Sequence, residues 1–198
     1  MPPRIIFLRH GETDWNVEYR LQGQRDTPLN ARGRDQADAV GRSMRDYFGG
    51  PGAPGANGLN FVASPLERTR DTMERARGAM GLDPKAYGTD RRLVELSFGR
   101  WEGMTWRDVV AREPWAARAR EGDKWHFVPP GGESYDMLSH RVQPWLDELT
   151  GETFVVSHGG VARVLMAMIG GLAQKDAPMA NIAQGRALIF ENGTCRWH

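Results

Sequence analysis

Apolar positions along the chain follow two periods. Short unbroken apolar runs at Arg4 to Arg9, Leu59 to Ala63 and Thr153 to Val156 are bounded by polar or turn residues and predict buried strands. Between them the spacing lengthens. Ala37, Val40, Met44 and Phe48 recur at helical intervals and predict a helix over 30–48. Pro65 to Met80 reads as a helix with proline in its first turn. Ser134 to Leu149 reads as another, started by Ser134 and bent or restarted at Pro144, and Val161 to Ile169 as an apolar one. Ala187 to Phe190 and Thr194 to Trp197 flank Asn192-Gly193, a hairpin signal. The run Gly49-Gly50-Pro51-Gly52-Ala53-Pro54-Gly55 suits no regular element and reads as a mobile surface loop.

Strands alternating with helices predict an α/β fold, a three-layer sandwich with a mostly parallel central sheet and helices on both faces. A length of 198 residues suits a single domain spanning 1–198. One stretch departs from the alternation. Segment 100–130 holds four of the seven tryptophans, Trp101, Trp106, Trp115 and Trp125, among charged residues and Pro114. It reads as a small helical lid inserted into the domain, its tryptophans either packing anchors or a wall for a substrate.

Composition narrows the picture without pointing to chemistry. The apolar fraction is 40% and the charged fraction 26%, ordinary for a water-soluble domain. No apolar run reaches the roughly 20 residues that span a bilayer, and the apolar stretch after Arg4 is too short for a signal peptide. One cysteine, Cys195, excludes an internal disulfide framework and points to a reducing, cytoplasmic location. The net charge of +1 provides no global field to recruit nucleic acid. Nearly all the basic residues are arginine, the lysines being Lys85, Lys124 and Lys175.

In an open α/β sheet ligands bind beyond the carboxyl ends of the strands, so the residues just after each predicted strand matter most. They are Arg9-His10-Gly11, Ser64-Pro65-Leu66-Glu67-Arg68 and Ser157-His158-Gly159-Gly160. Three strands thus deliver two histidines and two arginines to one rim. Arginine offers a planar fork suited to phosphate oxygens, and histidine a nucleophile, acid, base or cationic donor near neutral pH. Glycines after each histidine let backbone N–H groups approach an anion, and the second pair opens a helix whose N-terminus favours negative charge. No carboxylate cluster accompanies these groups, so no metal or other cofactor is expected. His126 and His140 read as incidental.

Arg9-His10-Gly11-Glu12-Thr13-Asp14-Trp15-Asn16 resembles the signature of the histidine phosphatase superfamily, the phosphoglycerate-mutase-like proteins. Five further blocks are similar and follow in family order. They are Gln22-Gly23 with Asp26 to Leu29 and Gly33 to Ala37, Ser64 to Thr69 followed by Thr72, Leu93 to Gly103, Pro130 to Ser134, and Val156 to Gly160. The resemblance implies a phosphomonoester hydrolase acting on a small phosphorylated metabolite through a phosphohistidine. His10 would attack phosphorus, Arg9, Arg68 and a protonated His158 would surround its oxygens, and Asn16 and the Gly159 N–H would add hydrogen bonds. Gln22 and Gly23 would border the same phosphate. Glu95 would protonate the leaving oxygen; Glu102 and Glu133 compete for that role, Glu102 reading rather as structural. A mutase that returns the phosphate to its substrate shares the nucleophile, but the Phe98 to Gly103 block resembles the phosphatase branch. A non-catalytic phospho-ligand module predicts loss of a working residue, and none is lost.

Overall fold

A computed structural model describes residues 2–198. Six strands form one sheet: β1 (Ile5–Arg9), β2 (Asn60–Ala63), β3 (Gly88–Thr89), β4 (Thr153–Ser157), β5 (Ala187–Glu191) and β6 (Thr194–Trp197), in the order β3-β2-β4-β1-β5-β6. The pairings β1–β4, β2–β4 and β2–β3 are parallel. β1–β5 and β5–β6 are antiparallel, so the sheet is mixed, with three of its five pairings parallel. The β5–β6 reversal comes from the hairpin: Asn192 and Gly193 both take positive φ, 52° and 76°, the twist a two-residue turn needs.

Seven helices accompany the sheet: α1 (Asp14–Val17), α2 (Ala31–Tyr47), α3 (Glu67–Met80), α4 (Trp106–Arg112), α5 (Pro114–Gly122), α6 (Tyr135–Asp147) and α7 (Gly159–Ile169). Successive strand side chains point to opposite faces, and the central strands are apolar on both. On one face Ile5, Phe7, Val155 and Leu188 pack with Leu138 and Val142 of α6 and Val161 and Leu165 of α7. On the other, Ile6, Leu8, Phe154 and Ile189 pack with Val40 and Met44 of α2 and Met73 and Met80 of α3. Both faces are thereby covered, the three layers that the alternation of periods predicts.

Two local expectations need correction. Segment 49–55 is not simply a mobile surface loop. Ala53 and Ala56 are buried in the core beside α2, and a 3-10 turn over Pro54–Ala56 closes it. Pro144 neither ends nor restarts its helix; it lies inside a continuous α6. Segment 100–130 holds α4 and α5 and carries a core of its own, Trp101, Val109 and Ala117, with Phe127 stacked on Trp101 at 5.6 Å. Trp101 and Trp125 are buried, whereas Trp115 is 80% exposed. Among the described residues no helix is long and apolar enough to cross a membrane.

Candidate active site

Strand register builds the site. In the β1–β4 pairing Arg9 lies opposite Ser157, so the next residues, His10 and His158, leave the sheet side by side. The His10 N–H continues the ladder to the Ser157 carbonyl at 2.9 Å, and the two imidazole centroids stand 5.3 Å apart. One strand over, Ala63 pairs with Val156, and the following Ser64 sets its hydroxyl 2.8 Å from His158 Nε2. Sequence patterns locate the three strand ends; the parallel register makes them one site.

His10 is 2% exposed, and its Nδ1 lies 2.8 Å from the Gly11 carbonyl oxygen. A carbonyl can only accept, so Nδ1 carries the hydrogen and Nε2 keeps its lone pair. Burial, reinforced by the Arg68 and Arg9 cations, holds the His10 pKa well below the ordinary histidine value. The ring is neutral at physiological pH, the form a nitrogen nucleophile needs.

Arg9 donates Nη1 to the Ile182 carbonyl at 2.9 Å, and burial lowers its pKa to about 10, which leaves it a cation. Arg68, in the first turn of α3, is wholly buried and donates to the Arg25 and Gly23 carbonyls at 2.7 and 2.8 Å. The Nε of each is buried without a partner among the described residues. Buried donors left unpaired are costly, and an anion between them would satisfy both.

Glu95 accepts from the Leu96 N–H at 2.8 Å and from the Gly160 N–H, near the start of α7, at 2.9 Å. Gly160 is glycine for lack of room: a Cβ there would stand 2.3 Å from Glu95 Oε1. The backbone under Glu95 is clamped from behind. Arg141 donates to the Arg92, Val94 and Glu95 carbonyls and is itself gripped by both oxygens of Glu133. Glu133 therefore has a partner away from the cleft. Glu102 spends Oε1 on the Gln24 and Phe98 N–H groups and the Ser97 hydroxyl.

A cleft of about 140 Å³ opens over these groups. Arg9, His10, Asn16, Gln22, Gly23, Arg68, Glu95 and Gly159 all line it. His158 does not. It is fully buried beside His10, its Nδ1 lacks a partner, and burial with the Arg68, Arg9 and Arg141 charges lowers its pKa well below 6.5. The expectation of a protonated His158 concerns the phosphate-bound site; without an anion, burial and the neighbouring cations keep the ring neutral. A dianion nearby would oppose those cations and raise its pKa. The Asn16 carbonyl oxygen accepts from the Thr13 N–H and from Gln184 Nε2, each at 3.1 Å. That leaves the amide nitrogen toward the cleft. Gln22 is anchored through its carbonyl oxygen by the Thr27 hydroxyl.

Four supporting residues brace the site, and two of them, Gln184 and Arg141, escape sequence reasoning. Gln184 bridges the His10 carbonyl and Asn16, Ser64 holds His158, and Arg141 with Glu133 holds the Glu95 segment. Gln184 follows no strand and no glycine signal, so only its distance in space could reveal it. Ser64 was legible as a strand-end polar residue. The tryptophans of 100–130 are absent from the lining; Phe98, Tyr135, Leu21 and Leu96 form the apolar part of the wall. Among the described residues no group of three or more His, Cys, Asp or Glu gathers at one point.

A mixed sheet between two helix layers, with histidines and arginines gathered at its strand ends, defines a class: α/β proteins with a cationic rim at the carboxyl ends of their parallel strands. The chain belongs to the histidine phosphatase superfamily (branch 1), whose family model matches residues 5–198. It is 32% identical over 189 residues to the glucosyl-3-phosphoglycerate phosphatase of Mycolicibacterium vanbaalenii, covering 89% of this chain and 78% of that protein. It is 28% identical to the 2,3-bisphosphoglycerate-dependent phosphoglycerate mutase of Parvibaculum lavamentivorans, covering 96% and 91%. The crystal structure of the α-ribazole phosphatase from Shigella flexneri superposes with a TM-score of 0.79 at 25% identity, covering 98% of this chain and 94% of that one.

Proposed function

We propose that the protein hydrolyses phosphomonoesters of small metabolites through a phosphohistidine formed on His10. The observation that carries this reading is the tautomer. Nδ1 is committed to Gly11, the ring is held neutral, and the lone pair of Nε2 is left to the group that lines a cleft with Arg9 and Arg68. Nε2 attacks phosphorus and the P–O bond to the leaving group breaks. Arg9 and Arg68 balance the charge on the phosphoryl oxygens, each such preorganised donor being worth about 10²–10³ in rate. Glu95 gives a proton to the leaving oxygen. Water then attacks the phosphohistidine and loses a proton to Glu95, the P–N bond breaks, and phosphate and free His10 result. His158 takes up positive charge only as the dianion binds.

Transfer back to a second hydroxyl would use the same intermediate, and a relative carries a mutase name. Phosphatase names among relatives and structures favour water as the acceptor. Segment 100–130 acts in this reading as a lid within a single domain, since its core rests on Phe98 and Leu21, which line the cleft. A reducing cytoplasm suits a protein whose one cysteine is free. The test is hydrolysis of p-nitrophenyl phosphate in the presence of chelator, with phosphate release and phosphate transfer to glycerol both followed. The wild type should release phosphate and the His10→Ala variant should not. Undiminished turnover in the variant would exclude His10 as the nucleophile.

A further inference from the structure

Helix α1 carries Asn16 to the cleft, yet none of its four residues is buried, so apolar packing does not place it. Polar contacts do. The chain leaving α1 is tied to segment 100–130, where the Leu21 N–H meets the Met104 carbonyl and Arg20 bonds the Gly103 carbonyl. Toward the strand ends Asn16 is tied by Gln184, 168 residues away in sequence, which donates Nε2 to its side-chain oxygen at 3.1 Å. Thr13 donates to the same oxygen, but as the cap of the same turn it moves with Asn16.

The other hydrogen of Gln184 Nε2 goes to the His10 carbonyl, also at 3.1 Å, so both donors of that amide are spent. This anchor is firm. The His10 carbonyl belongs to the peptide whose other end, the Gly11 N–H, donates to Thr72 Oγ1 at 3.0 Å. Gly11 is also pressed against Gly33, whose carbonyl oxygen would stand 2.2 Å from a Cβ on Gly11. Gln184 is seated by its own segment. The Ile182 carbonyl accepts from Arg9 and the Ala180 carbonyl from Arg163, and the Ile182 side chain is buried in the core. Residues 180, 182 and 184 of the connection between α7 and β5 thus hold Arg163, Arg9 and Asn16, all of which line the cleft.

We propose that Gln184 is a positioning residue of the reaction, which fixes the polarity of the Asn16 amide relative to His10. A side-chain amide has an accepting end and a donating end, and one that turned over would set its oxygen against the phosphoryl oxygens. Because Gln184 offers donors alone, from a point fixed on the nucleophile's own backbone, the Asn16 oxygen stays on the protein and the nitrogen faces the anion. Gln184 itself touches neither phosphorus nor the leaving group; it acts through Asn16. This role rests on the phosphatase reading for the reaction that Asn16 serves.

Two substitutions of similar shape test it, each made alone and together with Asn16→Ala. Gln184→Met removes the donors, and Gln184→Glu replaces them with an acceptor. On p-nitrophenyl phosphate Gln184→Met should lower kcat/KM about tenfold and Gln184→Glu about a hundredfold, within the range of a lost preorganised donor. On the Asn16→Ala background each should cost no more than about threefold, since the amide they misdirect is gone. A merely structural Gln184 would show the same losses with and without Asn16, and losses that multiply in full overturn the proposal. So does a Gln184→Met enzyme within about twofold of wild type. A Gln184→Glu loss undiminished without Asn16 would be plain repulsion of the phosphate and overturns it equally. A wild type that hydrolyses nothing would defeat the phosphatase reading alone. The same cycle read as calorimetric Kd values for inorganic phosphate then decides, non-additive losses sustaining the role of Gln184 and additive ones overturning it.

Discussion

A histidine kept uncharged between two arginines makes the protein sensitive to acid in a defined way. The unfolded chain protonates His10 and His158 near 6.5, whereas burial and neighbouring cations keep both neutral in the fold. Between 6.5 and the depressed folded values the unfolded state therefore binds more protons. Stability is complete above about pH 6.5 and is lost as pH falls, at up to about 1.4 kcal/mol per pH unit for each ring. Denaturant unfolding at pH 7.5 and 5.5 should show this slope, His158→Asn should roughly halve it, and saturating inorganic phosphate should oppose it. An equal slope in the variant would mean that His158 is not buried neutral. At this scale much was legible beforehand. Arg9, His10, Arg68 and Glu95 stand where strand ends and motif spacing put them. Gln184 and Arg141 were not legible, because a long side chain reaching a distant carbonyl leaves no periodic trace, and the charge on His158 could not be read before its burial was known.

Helix α7 is the element on which the acid depends. Glu95 is held by the Gly160 N–H, and Gly160 has no space for a methyl group beside that carboxylate. Gly160→Ala should push Glu95 out of place. A displacement of about 1 Å costs on the order of 10²-fold in rate, and the crowding about 1–3 kcal/mol in stability. Steady-state kcat on a poor leaving group, with a melting curve beside it, checks both; an unchanged kcat would mean that the carboxylate position is immaterial. The glycine pair was visible as a route for backbone donors toward an anion. Its second member instead accommodates a side chain of the protein, a distinction that needs the packed neighbour. Segment 49–55 and Pro144 teach the same lesson. Glycine and proline content read as loop and helix restart, while packing of Ala53 and Ala56 and the continuity of α6 prevailed.

Across the whole molecule, two clusters hold the sheet and a third, smaller one holds 100–130. With its own core of Trp101, Val109 and Ala117, that segment should open without disrupting the sheet. Hydrogen exchange should be faster over α4 and α5 than over β1 and β4. Trp101→Ala, a deletion expected to cost about 3–5 kcal/mol of local packing, should widen the gap while leaving the strands protected. Exchange rising equally in both regions would show a single cooperative unit. The layered architecture was readable from alternating periods. The antiparallel β5 was not, since nothing in its apolar pattern states which way it runs beside β1.

All three scales converge on the lone pair of one nitrogen, and the most direct measurement is to catch what it forms. Rapid alkaline quench of the wild type turning over a radiolabelled phosphate ester, followed by peptide mapping, should yield an acid-labile, alkali-stable label approaching one per chain on the peptide containing His10. The label should be absent in His10→Ala. Hydrolysis with no trapped label at any quench time, or a label that persists in the alanine variant, would contradict the account.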